Sequence, residues 1–136
     1  MDARKRRAPR GMTLIEIMVV VIIIGLVGTA VAVNVFGNLS EAKVRTARSD
    51  LAKISEGVDT YKVLRGRYPS TEEGMNVLIQ EKILKANKDG KIKDPWGNEY
   101  IYLSPGQAHA DSYDVKTYGA DATPGGEGEN ADLVNN

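Results

Sequence analysis

The sequence contains no cysteine, so no disulfide can hold the fold together. This absence matters because the chain is short. Its 136 residues suggest a single domain, and about 95 of them would remain outside a membrane-spanning N-terminal segment. A domain of that size has a limited core, so without disulfides it needs another cross-link or a partner to reach useful stability.

Features of enzymes and of nucleic-acid-binding proteins are also missing. His109 is the only histidine, and it lies in a segment, residues 106–110, that has the composition of a loop. With no cysteine, no nucleophile motif and no phosphate-binding loop, the chain is not expected to be an enzyme, and His109 is expected to be a surface residue. No polybasic patch follows Arg67, which argues against binding to nucleic acid.

Charged side chains are also absent from the apolar stretch at residues 17–40. Twenty such residues are enough to cross a bilayer as a helix. Glu16 lies at the beginning of this stretch, where burying a carboxylate costs several kcal/mol unless a cation pairs with it. The cation that suits Glu16 is a free α-amino group, which a cut after Gly11 would produce.

The residues before the apolar stretch form a basic leader. Residues 1–11 carry five Arg or Lys and one Asp, so their side-chain charge is +4. Because the whole chain is formally neutral, the remainder carries −4. Positively charged flanks stay in the cytoplasm, so the rest of the chain is expected to be exported.

The segment RGMTLIE at residues 10–16 resembles the leader-peptidase site of type IV pilin-like proteins. In that family a membrane aspartyl peptidase cuts after the glycine and methylates the new N-terminus, and the fifth mature residue is a glutamate. The resemblance implies that cleavage occurs between Gly11 and Met12, that Met12 is N-methylated, and that Glu16 acts in assembly.

Two other interpretations of the N-terminus remain. An ordinary secretory signal peptide would use the small residues Ala30 and Ala32 as its cleavage site, although its basic region would be unusually long and Glu16 would interrupt the start of its core. A plain signal-anchor helix is the second.

Beyond the apolar stretch the sequence becomes amphipathic. Apolar residues recur at spacings of three and four, which is the period of one face of a helix. They are Val44, Ala47, Leu51, Ile54, Val58 and Tyr61. No proline separates them from the apolar stretch, so the sequence predicts one helix from about Thr13 to about Leu64.

The segment GRYP at residues 66–69 is expected to end this helix. Ser70 and Glu73 then have the spacing of a capping box, which predicts a second helix that begins at Ser70.

The rest of the domain is predicted to contain a short sheet. Polar and apolar residues alternate at 99–103 and 112–118, which predicts two strands. Trp96, in the turn at 94–97, is expected to anchor the core.

The tail at residues 119–136 contains four acidic residues, four glycines and no positive charge. Carboxylates on such a segment repel each other, so the tail is either disordered or gathered around a cation. Calcium would suit it because calcium accepts six to eight oxygen ligands in irregular loops, although the spacing of an EF-hand is absent.

A second resemblance covers almost the whole chain and is more specific than the leader. Several segments are similar to the major pseudopilin of type II secretion systems: RYPSTEEG at 67–74, DPWGN at 94–98, LSPG at 103–106, GAD at 119–121, GGEG at 125–128 and AD at 131–132. In that family the C-terminal loop binds calcium. Carried over by position, the metal ligands are Asp121, Asp132 and the backbone carbonyls of Tyr118 and Thr123. Glu127, Glu129 and Asn130 remain open as ligands because loop length varies in the family.

One departure concerns the membrane helix. The family often has a proline about 22 residues into the mature chain, where the helix loosens in the fibre, and Val33 occupies that position here. Gly28 or Gly37 would then be the point at which the helix loosens.

The expected fold is α+β and pilin-like: a long N-terminal helix, whose first half spans the membrane, packed on a small C-terminal domain with a short antiparallel sheet and a calcium-binding loop. The expected divisions are a cleaved leader at 1–11, a transmembrane and assembly helix at 12–38 and a periplasmic domain at 39–136. The resemblance implies a structural subunit of the type II secretion pseudopilus, a short periplasmic fibre that drives folded proteins across the outer membrane.

Implied partners are further copies in a helical fibre, minor pseudopilins, the inner-membrane secretion platform and the prepilin peptidase. The implied location is the Gram-negative inner membrane, crossed once, with the C-terminal domain in the periplasm. A type IV pilus subunit would share the leader but usually carries a C-terminal disulfide loop. A membrane-anchored periplasmic calcium-binding module is the other alternative.

Overall fold

The structure, a computed structural model, describes residues 11–135 and, of residues 33–35, only the backbone. The described residues divide into two units, with the boundary between Gly37 and Asn38. Except for Gly11, the predicted leader lies outside the described residues, as does the side chain of Val33. The first helix, α1, spans Leu14–Arg65. The predicted single helix from about Thr13 to about Leu64 is therefore confirmed.

In the first unit, α1 is a continuous apolar helix with open side chains. Every described side chain at residues 11–32 is exposed. The most apolar 18-residue window has a mean hydropathy of 2.8, so the helix is long and apolar enough to cross a membrane. The Thr29 hydroxyl donates to the Gly25 carbonyl oxygen at 2.9 Å, which satisfies this polar group within the helix itself.

In the second unit, α1 buries the stripe that its sequence predicts. Five of the six predicted positions are at most 4% exposed, and Val44 is partly buried against them. The helix ends where Gly66, with φ of 76°, donates its amide to the Lys62 carbonyl at 2.7 Å. A positive φ suits glycine at a helix C-terminus, so the GRYP segment stops the helix as expected.

The second helix begins later than the sequence suggests. Ser70 and Glu73 do make the reciprocal bonds of a capping box, at 3.2 and 2.8 Å, but α2 spans only Asn76–Gln80. The prediction of a helix starting at Ser70 is therefore wrong. Gly74 has φ of 53°, which interrupts any helix, so the capping bonds stabilise a turn instead. Arg67 also bonds both carboxylate oxygens of Glu73, which lowers the pKa of Glu73 to about 2.

Three short antiparallel strands follow in the order β1-β2-β3: β1 is Ile101–Leu103, β2 is Asp114–Thr117 and β3 is Leu133–Val134. The first two lie inside the predicted ranges. Sequence reasoning missed β3 because it has only two residues and lies in the acidic tail.

Aromatic side chains connect the sheet to α1. Tyr102 and Tyr113 stack with ring centroids 5.8 Å apart, and the Tyr113 hydroxyl donates to the Ser55 carbonyl at 3.1 Å. Burial raises the pKa of both tyrosines to about 12. Trp96 is partly buried against the same core, as predicted. Burial of these large aromatic side chains adds to the apolar area that the stripe of α1 buries.

A buried carboxylate organises the connection between β1 and β2. Asp114 Oδ2 accepts from the amides of Gln107 and Ala108 at 2.5 and 2.6 Å, and Asp114 Oδ1 accepts from the His109 amide at 3.1 Å. His109 Nδ1 lies 2.7 Å from the same Oδ1, while the imidazole is 40% exposed. Burial alone would raise the pKa of Asp114, but these bonds hold it below its ordinary value.

We therefore expect Asp114→Ala to lower the free energy of unfolding by roughly 2 to 4 kcal/mol, because three amides and the His109 ring lose their buried acceptor. Since the folded pKa is depressed, the contribution should be complete at neutral pH and disappear as pH falls through that pKa. Urea denaturation at neutral and acidic pH measures this. Asp111→Ala, an exposed aspartate in the same connection, is the control. Equal stability of Asp114→Ala and wild type at pH 7 would show that the carboxylate is not required.

Candidate functional site

The predicted cleavage site is open. Gly11 is exposed, and a Cβ built on it would meet nothing within 4 Å. Met12 is 62% exposed. The chain's own structure thus imposes no requirement for glycine at position 11, so any such requirement would come from the enzyme that cuts there.

Glu16 has a partner that sequence reasoning missed. The Glu16 amide donates to Thr13 Oγ1 at 3.3 Å, and the Thr13 amide donates to Glu16 Oε2 at 3.3 Å. Thr13 and Glu16 thus form a capping box, for which the spacing Thr-x-x-Glu was the available signal. The box turns the carboxylate back toward the first turn of α1, beside the peptide that follows Met12, where the helix dipole also favours a negative charge.

Residues 118–132, which join β2 to β3, form the acidic loop. It contains two 3-10 turns, Gly119–Asp121 and Gly128–Asn130. Two hydrogen bonds between Asn135 and Val115 close the far end of the loop. The Val115 amide donates to Asn135 Oδ1 at 2.7 Å, and the Asn135 amide donates to the Val115 carbonyl at 2.9 Å. Its exposed carboxylates therefore lie on a backbone with defined turns.

The two predicted aspartate ligands lie on opposite arms of this loop, and both accept hydrogen bonds from the short segment at residues 123–125. Asp121 Oδ1 accepts from the Thr123 amide at 3.1 Å. Asp132 Oδ1 accepts from the Gly125 amide at 3.0 Å, only two residues farther along. Tyr118 immediately precedes the first 3-10 turn. Of the acidic residues that were left open, Glu127 flanks the second turn and Glu129 lies within it, on the returning part of the loop.

The proposed ligand atoms are of the type that calcium binds. Among residues 11–135 no group of three or more Asp, Glu, His or Cys could hold a metal ion, so carboxylates alone do not make a site. The set carried over by resemblance contains two carboxylates and two backbone carbonyls, all of them oxygen donors. Calcium accepts such mixed oxygen sets, with water completing the coordination. This chemistry would suit calcium better than zinc, which prefers nitrogen and sulfur.

The beginning of the loop is held by residues that sequence reasoning did not connect to it. The Asn98 side-chain amide donates to the Gly119 carbonyl oxygen at 3.0 Å. The Gly119 amide donates to Thr117 Oγ1 at 3.2 Å, and the Thr117 hydroxyl donates to Asp94 Oδ2 at 2.5 Å. Asp94 and Asn98 belong to the DPWGN segment, so this turn and the acidic loop are joined directly.

Comparison with known families supports the resemblance. Residues 34–136 match the family model described as type II secretion system, protein G. Residues 6–32 match the model of the prokaryotic N-terminal methylation motif. That motif and the apolar helix fit a single-pass, membrane-anchored subunit.

Individual proteins give the same result over most of the chain. The type II secretion system core protein G of Pseudomonas aeruginosa is 39% identical over 140 residues, which cover 96% of this chain and 97% of that protein. The core protein G of Vibrio cholerae is also 39% identical, with 97% and 94% covered. For the core protein G of Escherichia coli, identity is 39% over 127 residues, with 87% and 86% covered.

These matches distinguish the interpretations that the sequence left open. The protein G model covers the domain as well as the end of the apolar segment, so it favours a pseudopilin over a type IV pilus subunit or a calcium-binding module. The family consists of structural subunits, and membership indicates no catalytic function. The chain belongs to the protein G family of type II secretion systems, the family of the major pseudopilins.

Proposed function

We propose that the chain crosses the inner membrane once, with residues 39–136 in the periplasm, and that its copies form the short fibre that drives folded proteins across the outer membrane. The observation that carries this proposal is the carboxylate of Glu16 at the head of the uncharged part of α1, residues 17–40. The basic leader supports the orientation, because positive flanks remain on the cytoplasmic side.

Processing would convert this helix into an assembly element. Cleavage after Gly11 by the prepilin peptidase exposes the Met12 amine, which is then methylated. The capping box already directs Glu16 toward this end of the helix, so the new cation arises close to the carboxylate. Pairing of Glu16 with this amine, in its own chain or in an adjacent subunit, lets the acid enter an apolar helix bundle. A buried ion pair fixes the register between packed helices more reliably than it adds net stability.

Assembly would proceed by a repeated head-to-tail contact. Such contacts do not close into a ring when the rotation between subunits leaves an offset, so they generate a helical fibre. The partners would be further copies of this chain, minor pseudopilins and the inner-membrane platform, with a cytoplasmic ATPase acting indirectly. The apolar helix supplies the surface that packs within the fibre once it leaves the lipid.

The acidic loop would bind calcium and thereby stabilise the domain. Asp121, Asp132 and the carbonyls of Tyr118 and Thr123 would hold the ion. The ion would neutralise carboxylates that otherwise repel each other, and it would link the two ends of the loop. This contribution matters because the domain has no disulfide and only a small core.

Replacement of Gly11 with a bulky residue such as Val should block cleavage, because the peptidase needs close approach to the backbone. Cells should then accumulate a precursor about 1.3 kDa heavier than the mature chain, the mass of eleven arginine-rich residues at roughly 0.12 kDa each. Intact-mass analysis measures this. Gly37→Ala, at another glycine with open space around it, should be processed normally. Mature-sized protein from Gly11→Val would exclude the site.

Glu16→Val and Glu16→Gln should both be cleaved after Gly11 yet fail to form fibres or support secretion. Glutamine can still cap the helix, so Glu16→Gln isolates the loss of charge from the loss of the capping bond. Glu41→Ala, which removes an exposed ion pair with Arg45 on the same helix, is the control. Electron microscopy and a secretion assay give the readout, and normal fibres from Glu16→Gln would contradict the pairing role.

Calcium should raise the melting temperature of the full chain in detergent micelles by roughly 10 °C or more. At a hundred times Kd the ion adds about 2.7 kcal/mol to stability, and each kcal/mol shifts a ~100-residue domain by several degrees. Asp121→Ala and Asp132→Ala should each remove most of this calcium-dependent shift, whereas Asp111→Ala should retain it. Magnesium should substitute poorly because it demands a tight octahedron. Coincident melting curves of wild type in calcium and in chelator would reject calcium binding.

A further inference from the structure

The DPWGN turn at residues 94–98 is built around one buried side chain. Asp94 is 5% exposed. Its Oδ1 accepts from the amides of Trp96 and Asn98 at 3.0 and 2.8 Å, which closes the turn. Its Oδ2 accepts from the Thr117 hydroxyl, at the end of β2. The turn is therefore fixed both internally and against the central strand.

This fixed turn determines the position of Gly119. Asn98 Nδ2 donates to the Gly119 carbonyl, and Thr117 Oγ1, itself bonded to Asp94, accepts from the Gly119 amide. Both polar groups of one residue are thus held by the same network. Gly119 has φ of 71°, and a Cβ on it would clash with the Glu129 carbonyl oxygen, so the two arms of the loop meet here.

Gly119 lies between the groups that are proposed to hold calcium. The Tyr118 carbonyl belongs to the peptide that joins Tyr118 to Gly119, and Asp121 follows two residues later. Fixing both backbone groups of Gly119 therefore limits the directions in which these donors can point. An ion that binds a loop already held in place pays less conformational entropy than one that must order the loop itself.

We infer that Asn98 is a positioning residue for calcium in the acidic loop, acting through its hydrogen bond to Gly119 rather than as a ligand. The inference rests on the proposed calcium site. It assigns the DPWGN turn a role in setting metal affinity, in addition to its packing against the core through Trp96.

A side-chain substitution at Asn98 isolates this hydrogen bond. The turn's main-chain contacts remain, because the Asp94 amide donates to the Asn98 carbonyl at 2.8 Å and the Asn98 amide bonds Asp94. Asn98→Ala removes the side-chain donor. Asn98→Leu also removes the donor but retains a similar size, so it controls for lost packing. Asn87→Ala, an exposed asparagine in another turn, is the matched control.

The experiment uses the full chain in detergent micelles. Isothermal titration with calcium chloride should show a Kd weaker by roughly three- to tenfold for both Asn98 variants, in line with the loss of one hydrogen bond. The Kd of Asn87→Ala should equal that of wild type. In chelator, hydrogen exchange of amides at 119–126 should be faster in the Asn98 variants than in wild type, with exchange in α1 unchanged.

Two results would overturn the inference. One is a wild-type Kd in Asn98→Ala together with wild-type exchange at 119–126. The other is a melting temperature that falls equally in calcium and in chelator while Kd is unchanged, which would assign Asn98 a purely structural role. Failure of the proposed site itself has a different signature, because the wild type would then bind no calcium, while exchange at 119–126 would still decide whether Asn98 positions the loop.

Discussion

Glu16 lies at the head of an uncharged stretch of α1, so its carboxylate needs a partner for its charge, and this need links removal of the leader to assembly. In the described chain, Glu16 is satisfied by the Thr13 amide and by the N-terminal end of α1. That arrangement suffices beside water or lipid headgroups. Transfer into an apolar bundle of helices requires a full cation, and removal of the leader would create one in the right place. Processing would thus supply the cation on which assembly depends.

The second unit depends on buried carboxylates in a different way. Asp94 and Asp114 each accept amide hydrogens from a neighbouring turn, and each thereby fixes a connection that the small core cannot hold by apolar contacts. Removing water from a carboxylate is tolerated only where such donors replace it. The helix stripe and the tyrosines supply buried area, while these two aspartates specify the paths of the connections. Because the domain has no disulfides, hydrogen bonds to these two aspartates set the geometry of its connections.

Elements with a clear period were predictable from the sequence, and those defined by a few residues were not. The stripe from Val44 to Tyr61 predicted the face of α1 because six positions share one spacing. The capping pair Ser70 and Glu73 was recognised, but its consequence was misjudged, because the pair forms in turns as well as in helices and Gly74 decides between them. Strand β3 carries too few residues to show alternation.

The candidate sites also contain features that were predictable from the sequence and features that were not. Gly11, Glu16, Asp121 and Asp132 could be named because each lies in a short segment of sequence that resembles the family. The hydrogen bond from Asn98 to Gly119 joins segments 21 residues apart, and only the fold brings them together. The capping partner Thr13 was readable from its spacing to Glu16, because Thr-x-x-Glu is the pattern of a capping box.

The most direct test of the pairing is the distance between the Met12 nitrogen and the Glu16 carboxylate in assembled fibres. Solid-state NMR on fibres labelled with 15N at methionine and 13C at glutamate measures the dipolar coupling between them. The account predicts a strong coupling that corresponds to an N···O contact within about 4 Å, the range of an ion pair, and dilution with unlabelled subunits would show whether the contact lies within one chain. Intact fibres without this coupling would contradict the account.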